Sequence, residues 1–264
     1  MYGFDYQRPS DTRSATAALQ GDARFLAGGQ SLVQAMRLRL SQTTRLVDLG
    51  GIAELKGIRL EGNQVVIGAM TTHAEVAASA DVRRVLPALA ELAGGIADPM
   101  VRNMGTLGGS IANADPAADY PAAVVALDAT VQTDRRTIPG GDFFTGLYET
   151  ALQPGELITA VRFPVAQQAA YQKFHQPASR FALVGVFVAK TAGGVRVGVT
   201  GAMSHAYRAT PLEAALGSSF TPAAARAVKL PADGINGDLH GTAEYRAALV
   251  SVMAARAVAA ALAR

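Results

Sequence analysis

The chain has 264 residues, of which 50% are hydrophobic and 17% charged, so it is long enough to bury a substantial core. Its net charge of +3 comes from scattered arginines without a basic run, and it has no tryptophan, so the sequence does not favour nucleic-acid binding. The absence of cysteine excludes disulfides and cysteine-ligated iron–sulfur clusters within this chain.

The first fifty residues alternate between strand and helix patterns. The predicted elements are strands over residues 3–7, 24–27 and 45–49 and helices over 10–19 and 31–40, with Ser10 and Ser31 as N-caps. This β-α-β-α-β pattern predicts a small, largely parallel sheet that binds its ligand at the carboxyl end of a strand.

A glycine-rich loop follows the second predicted strand, with the sequence Ala27-Gly28-Gly29-Gln30-Ser31-Leu32. Glycine allows positive φ and close approach of the backbone to a ligand, so successive N–H groups can converge on an anion. A helix that begins just after the loop adds its positive end. Taken alone, however, the glycine pair favours a tight strand-to-helix turn.

A hairpin is predicted over residues 57–60 and 64–69, followed by helical segments over 72–93. A second loop then reads Gly105-Thr106-Leu107-Gly108-Gly109-Ser110 and, like the first, is expected to lie between a strand and a helix. Two such loops, each with a hydroxyl residue, predict a clamp around a diphosphate and hence a dinucleotide cofactor. Neither loop matches the G-x-G-x-x-G or G-x-x-x-x-G-K-[ST] spacing.

Beyond the second loop, Asp115 and Pro116 are predicted to cap and begin a helix that runs to residue 126, with Asp119 in its first turn. A strand over residues 157–163 closes the first domain, so we expect domains over 1–166 and 167–264. The second domain is predicted to contain antiparallel strands over 171–174, 182–190 and 195–202, a helix from Thr221-Pro222 and a long helix over 242–263.

No hydrolytic or metal-binding pattern is present, so no catalytic side chain and no metal ligand is predicted. The four histidines (His73, His175, His205 and His240) lie far apart and are interpreted as surface or hydrogen-bonded residues. A structural salt bridge is favoured for Arg102 over a phosphate contact. Residues 1–10 lack a signal-peptide pattern and no apolar run reaches the length of a membrane span, so we expect a cytoplasmic protein.

Five segments resemble, in the same order, the FAD-binding medium subunits of molybdenum hydroxylases, a family that includes the carbon monoxide dehydrogenase flavoprotein and the FAD domain of xanthine dehydrogenase. The segments are FLAGGQSLVQAMRLRL, LVDLGGIAELKGI, VVIGAMTTHAEV, VRNMGTLGGSIANADPAADYPAAVVALDA and PGELITAVRFP. The resemblance covers nearly the whole chain. It implies an α+β fold, in which a two-subdomain FAD-binding domain of the vanillyl-alcohol-oxidase/PCMH type precedes a smaller domain of antiparallel sheet and helices.

The resemblance also implies which residues bind the cofactor. Both glycine loops would bind FAD, Asp119 would hold hydroxyls of its sugar chain, and Ile96 would lie near the flavin or simply in the core. Ile158 and Lys173 would border the bound nucleotide, and a lone lysine in the apolar strand around Lys173 needs an anionic partner. The predicted cofactor-binding residues are Ala27, Gly28, Gly29, Gln30, Ser31, Leu32, Ile96, Thr106, Leu107, Gly108, Gly109, Ser110, Asp119, Ile158 and Lys173.

In such complexes, electrons pass from a molybdenum cofactor on a large subunit through [2Fe-2S] clusters on a small subunit to FAD, and then to an external acceptor. We therefore expect non-covalent FAD here, with the molybdenum and iron–sulfur centres on partner subunits in a heterotrimer or a dimer of heterotrimers. Two alternatives remain open at this point: a stand-alone FAD-dependent oxidase or reductase, and a nucleotide-binding or assembly protein without catalysis.

Overall fold

A computed structural model describes residues 1–264, which form four β-sheets and eleven α-helices. The strands are β1 (Asp5–Gln7), β2 (Ala23–Leu26), β3 (Arg45–Asp48), β4 (Ile58–Glu61), β5 (Gln64–Gly68), β6 (Thr130–Thr133), β7 (Thr137–Pro139), β8 (Phe144–Gly146), β9 (Glu149–Thr150), β10 (Ile158–Pro164), β11 (Gln168–His175), β12 (Ala182–Thr191), β13 (Gly194–Thr200) and β14 (Tyr207–Arg208). The helices are α1 (Thr12–Ala18), α2 (Leu32–Arg37), α3 (His73–Ala78), α4 (Ala80–Val85), α5 (Pro87–Gly94), α6 (Pro99–Met104), α7 (Leu107–Asn113), α8 (Tyr120–Ala126), α9 (Thr210–Ser218), α10 (Pro222–Ala227) and α11 (Ala243–Leu262).

The N-terminal β-α-β-α-β unit forms a three-stranded sheet in which β3 lies between β1 and β2 and both pairings are parallel. This confirms the predicted parallel sheet. Asp11 rather than Ser10 caps α1, because the Asp11 carboxylate accepts the amide of Ser14 at 2.8 Å. Helix α2 ends at Arg37, earlier than predicted, because Arg39 adopts a positive φ of 60° that turns the chain out of the helix.

The second sheet has the strand order β4-β5-β10-β6-β7, with antiparallel pairing throughout. Its first two strands are the predicted hairpin, and the pairing of Glu61 with Gln64 places its turn at residues 62–63. Helices α3, α4, α5, α7 and α8 contribute to the largest hydrophobic core together with this sheet; Ile67, Leu89 and Ile111 are among its buried members. The sheet and these helices thus support the second glycine loop.

The chain around the second loop differs from the prediction. Helix α6, not a strand, precedes the loop, and α7 begins at Leu107, so Gly108, Gly109 and Ser110 lie within a helix. The helix expected from Asp115 begins only at Tyr120.

The reason for the late start of α8 is that the backbone before it is bound to the C-terminal sheet. The carbonyl of Pro116 accepts the Gly201 amide at 2.7 Å and the Thr200 hydroxyl at 2.8 Å. The same hydroxyl contacts the carbonyl of Ala118 at 2.7 Å. These carbonyls already accept hydrogen bonds from the C-terminal sheet, so they are not available to the backbone amides of a helix. Asp115 instead accepts the Ala117 amide at 2.9 Å.

The C-terminal sheet has the order β11-β12-β13-β14 and is antiparallel, as predicted. Thr221 caps α10, also as predicted. Helix α11 contacts β11, β12 and α10. By length and composition alone, α11 could cross a membrane, with a mean hydropathy of 1.4, although Arg246 and Arg256 interrupt its apolar residues. Because 61% of that stretch is buried within the protein, its apolar surface is that of a core helix.

Candidate functional site

The two glycine loops contact each other. A Cβ placed on Gly28 would lie 2.1 Å from the carbonyl oxygen of Met104 and 2.7 Å from the Cα of Gly105. A Cβ on Gly109 would lie 3.0 Å from the Cβ of Ala27. The sequence therefore brings two loops about eighty positions apart into one site, and glycine at residue 28 is required by the close approach of two backbones.

Positive φ explains only one of the paired glycines. Gly29 has a φ of +72°, whereas Gly28, Gly108 and Gly109 have ordinary backbone angles. Gly108 is required for another reason, because a Cβ there would lie 2.6 Å from the Cβ of Ala69 and 2.8 Å from its carbonyl oxygen. These approaches are to protein atoms, so the loop glycines are needed by packing before any ligand is considered.

The first loop has unused hydrogen-bond donors. None of the backbone amides of residues 28–32 donates to a backbone carbonyl. Ser31 occupies the N-cap position of α2, as predicted, but its side chain makes no capping hydrogen bond. A run of free amides at the beginning of a helix is an arrangement that binds anions.

The second loop differs in this respect, because most of its amides are used. Leu107 donates to Thr71, Gly108 donates to Ala69, and Gly109 donates to the Thr106 hydroxyl. The two loops therefore differ in the number of backbone amides that they leave free. The second loop is held in place by its own hydrogen bonds, whereas the first has free donors.

A cleft of about 710 Å³ runs along both loops, which is within the usual range for a cofactor site. Of the predicted cofactor-binding residues, all line this cleft except Leu107 and Lys173. Leu107 is fully buried in the core beneath the loop. Lys173 does not line the cleft itself but contacts Asp119, which does.

Asp119, Lys173 and Tyr171 form a buried polar cluster at the cleft. The Lys173 ammonium lies 2.9 Å from one carboxylate oxygen of Asp119, and the Tyr171 hydroxyl donates to the same oxygen at 2.6 Å. The side chains of Lys173 and Asp119 are only 4% and 6% exposed. Burial raises the pKa of Asp119, and the adjacent ammonium opposes that rise. The anionic partner predicted for Lys173 is thus a protein carboxylate.

Ile96 lies in a turn after α5 rather than in that helix. The next residue, Ala97, has a φ of 41°, and the Arg102 guanidinium donates to the carbonyls of Ile96 and Ala97 at 2.8 and 3.0 Å. The salt bridge favoured for Arg102 is therefore wrong, because this side chain binds backbone oxygens of the cleft wall. Ile158 is the buried first residue of β10.

His73 is a cleft residue that the sequence analysis missed. It is buried against the second loop, its amide donates to the Gly105 carbonyl at 2.9 Å, and its Nδ1 has no hydrogen-bond partner. Burial, followed by the nearby Arg102 charge, lowers the pKa of His73 to about 4. The interpretation of this histidine as surface or hydrogen-bonded is wrong. The T-x-x-E capping box from Thr72 to Glu75 predicts its position at a helix start, but not what it faces.

Glu156 is a second cleft residue that was not predicted. Arg136 holds the pKa of Glu156 at about 2, and the carboxylate also accepts hydrogen bonds from Thr133 and from the amide of Gln153. A carboxylate with this many donors is a structural anion and is poorly suited to proton transfer. No group of three or more histidine, aspartate or glutamate side chains that could hold a metal ion occurs in the chain.

The fold and the cleft are those of a flavoprotein module. The family model for the FAD-binding domain in molybdopterin dehydrogenase matches residues 2–166, and the chain belongs to this family. The chain is 39% identical over 280 residues to the carbon monoxide dehydrogenase medium chain of Hydrogenophaga pseudoflava, covering 99% of this chain and 98% of the relative.

Two solved structures are similar over their whole length. Reconstituted CO dehydrogenase from Oligotropha carboxidovorans matches with a TM-score of 0.89 and 37% identity, covering 100% of this chain and 99% of that one. Quinoline 2-oxidoreductase from Pseudomonas putida 86 matches with a TM-score of 0.90 and 29% identity, covering 98% and 97%. These similarities confirm the predicted family, fold class and cofactor: the chain is an FAD-binding oxidoreductase subunit.

Proposed function

We propose that this chain is the electron-transfer subunit of a molybdenum hydroxylase, which receives electrons from iron–sulfur clusters on a partner and delivers them to an external acceptor. The observation that carries the proposal is the cleft lined both by the first loop, whose amides at residues 28–32 have no backbone acceptor, and by the second, hydrogen-bonded glycine loop. When bound, FAD supplies the redox chemistry, and the protein supplies position and electrostatics.

The residues of the cleft fit a flavin dinucleotide. The amides of residues 28–32 would bind the diphosphate, assisted by the hydroxyl residues Ser31 and Ser110 that line the same cleft. Lys173 contacts both oxygens of Asp119 and the Tyr171 hydroxyl donates to one of them, and the remaining lone pairs of the carboxylate would accept ribityl or ribose hydroxyls from the cleft. The apolar side chains of Ile96 and Ile158 would pack against the rings of FAD.

The complex would contain a large molybdenum-binding subunit and a small [2Fe-2S] subunit, as a heterotrimer or a dimer of heterotrimers in the cytoplasm. A chain without cysteine leaves the cluster ligands to a partner. Relatives over the whole length belong to enzymes for carbon monoxide and for quinoline. We therefore infer that the substrate is chosen on the large subunit.

Co-expression with and without the two partner subunits tests the proposal. The purified chain alone should carry FAD but no iron or molybdenum, and it should not oxidise carbon monoxide, aldehydes or purines. Acid precipitation should release all of its flavin, because no cysteine is available and no histidine lies in either glycine loop. Substrate oxidation by the metal-free single chain would instead support a stand-alone flavin oxidase.

A further inference from the structure

The end of helix α2 holds two leucines in solvent through an unusual backbone geometry. The amide of Arg39 donates to Met36 and the amide of Leu40 to Ala35, which is the hydrogen-bond pattern of a Schellman motif. The left-handed position of this motif is normally glycine, yet here it is Arg39 with a φ of 60°. Leu38 and Leu40, on either side of it, are 70% and 79% exposed.

This strained turn is part of a larger exposed surface. The Arg39 guanidinium lies 5.4 Å from the centre of the Tyr2 ring, and that ring is itself half exposed. We call Tyr2, Arg37, Leu38, Arg39 and Leu40 the α2 face. In a motif of this kind the residue after the left-handed position commonly packs on its own helix, whereas Leu40 remains in solvent. Exposed apolar side chains held at the cost of backbone strain indicate a binding surface.

The charge of this surface limits what can cover it. No aspartate or glutamate occurs between residues 23 and 44, whereas Arg37 and Arg39 lie on the face itself. In a two-fold contact between copies of this chain the same patch would meet itself, so arginines would face arginines. A partner that offers carboxylates around an apolar centre fits the surface better.

The α2 face adjoins the cofactor cleft. Helix α2 begins at the free amides of the first loop and has six residues, so it places its far end about 9 Å away. Arg24 lines the cleft and donates to the hydroxyl of Ser41, the residue after Leu40. A protein bound to this face would therefore lie next to one end of the cleft.

We propose that the α2 face is the docking surface for the iron–sulfur partner. The inference rests on the proposed function, in which that partner must bring its cluster close to the flavin. The partner would offer an apolar patch surrounded by carboxylates. Leu38 and Leu40 would pack against the apolar centre, and Arg37 and Arg39 would pair with the carboxylates. The surface is separate from the residues that line the cleft, so docking and FAD binding can be measured independently.

The test compares two variants of this chain, each co-expressed with both partner subunits. Leu38→Glu/Leu40→Glu puts negative charge on the face, and Leu239→Glu makes the same change at a leucine that is 90% exposed in the C-terminal half. We expect the double variant to lose about tenfold or more of the iron that co-purifies per flavin, as loss of a hot spot implies. FAD per chain should stay at the wild-type level in both variants, and Leu239→Glu should keep its iron.

If Leu38→Glu/Leu40→Glu co-purifies with as much iron per flavin as wild type, the inference is overturned. Loss of molybdenum with iron retained would also overturn it, because that result assigns the face to the large subunit. Loss of iron on Met100→Glu alone would move the surface to α6, where Met100 is 81% exposed. Should the glutamates also lower FAD content, the milder Leu38→Ser/Leu40→Ser pair makes the same comparison. A wild-type chain that never co-purifies with iron would instead contradict the proposed function itself.

Discussion

Replacing Lys173 by methionine keeps most of the side-chain volume and removes the cation that compensates Asp119. The two groups are 2.9 Å apart and 4% and 6% exposed, so solvent cannot replace the lost partner. Removing one member of a buried ion pair typically costs about 3–5 kcal/mol. For a chain of this length about 1 kcal/mol corresponds to a change of about 2–4 °C in Tm, so we expect a decrease of about 10 °C.

The loss should depend on pH, with a definite sign. Burial raises the pKa of Asp119 in the folded protein, and removal of Lys173 raises it further. A carboxyl group with a raised folded-state pKa binds its proton more tightly in the folded than in the unfolded chain. The variant should therefore be most destabilised near pH 8 and should recover stability as the pH falls towards 5 and Asp119 becomes neutral.

Denaturant unfolding of the FAD-free protein at pH 8 and pH 5 measures this effect. Asp119→Asn and the double variant Lys173→Met/Asp119→Asn complete a double-mutant cycle. The double variant should be more stable than Lys173→Met at pH 8, because no buried charge is left without a partner. A Lys173→Met protein within about 0.5 kcal/mol of wild type at pH 8, the range typical of surface substitutions, would refute the reasoning.

Two further predictions concern the contact between the two glycine loops and the histidine buried against the second one. Gly28→Ala places a methyl group 2.1 Å from the Met104 carbonyl oxygen, and such overpacking costs about 1–3 kcal/mol. FAD affinity, measured by fluorescence titration, should therefore fall about tenfold. The control Gly193→Ala, whose added methyl group would lie 3.7 Å from its nearest neighbour, should bind FAD like wild type. Equal losses in both would contradict a local effect. In the wild type, the histidine at position 73 gains a proton below about pH 6.5 in the unfolded chain but only near pH 4 in the folded one, which lowers the free energy of unfolding by about 3 kcal/mol as the pH falls. His73→Leu should remove this loss and so flatten the acid side of a plot of unfolding free energy against pH. Identical curves between pH 7 and 4 would show that His73 does not contribute.

The elements predicted correctly are those that short stretches of sequence determine. The parallel sheet, the β4–β5 hairpin and the C-terminal antiparallel strands follow from alternation and from turn residues such as those at 62–63. The paired glycine loops were also found, because Gly-Gly with a neighbouring hydroxyl is visible in the chain. Their mutual contact was inferred from function and not from any local pattern.

The errors arise where distant parts of the chain decide the structure. Asp115-Pro116 is a good local helix start, but strand β13 takes up the carbonyls that this helix would need. Arg102 offers a charge that suits a salt bridge, yet the nearby acceptors are backbone oxygens of a strained turn. His73 looks ordinary in sequence, but in the fold Gly105 and Tyr120 pack against its ring, which is buried and has an unpartnered nitrogen.

The bonds between the Pro116 segment and strand β13 have a consequence for biosynthesis. Both glycine loops leave the ribosome early, but the Asp119 region that faces them is held by Lys173 and Thr200, which are synthesised later. A nascent chain of about 166 residues would hold both loops and still lack one wall of its cleft. The Asp119 side of the cleft can therefore take its final form only after Lys173 and Thr200 have been made, so the C-terminal half serves as a built-in scaffold for the half that carries the glycine loops.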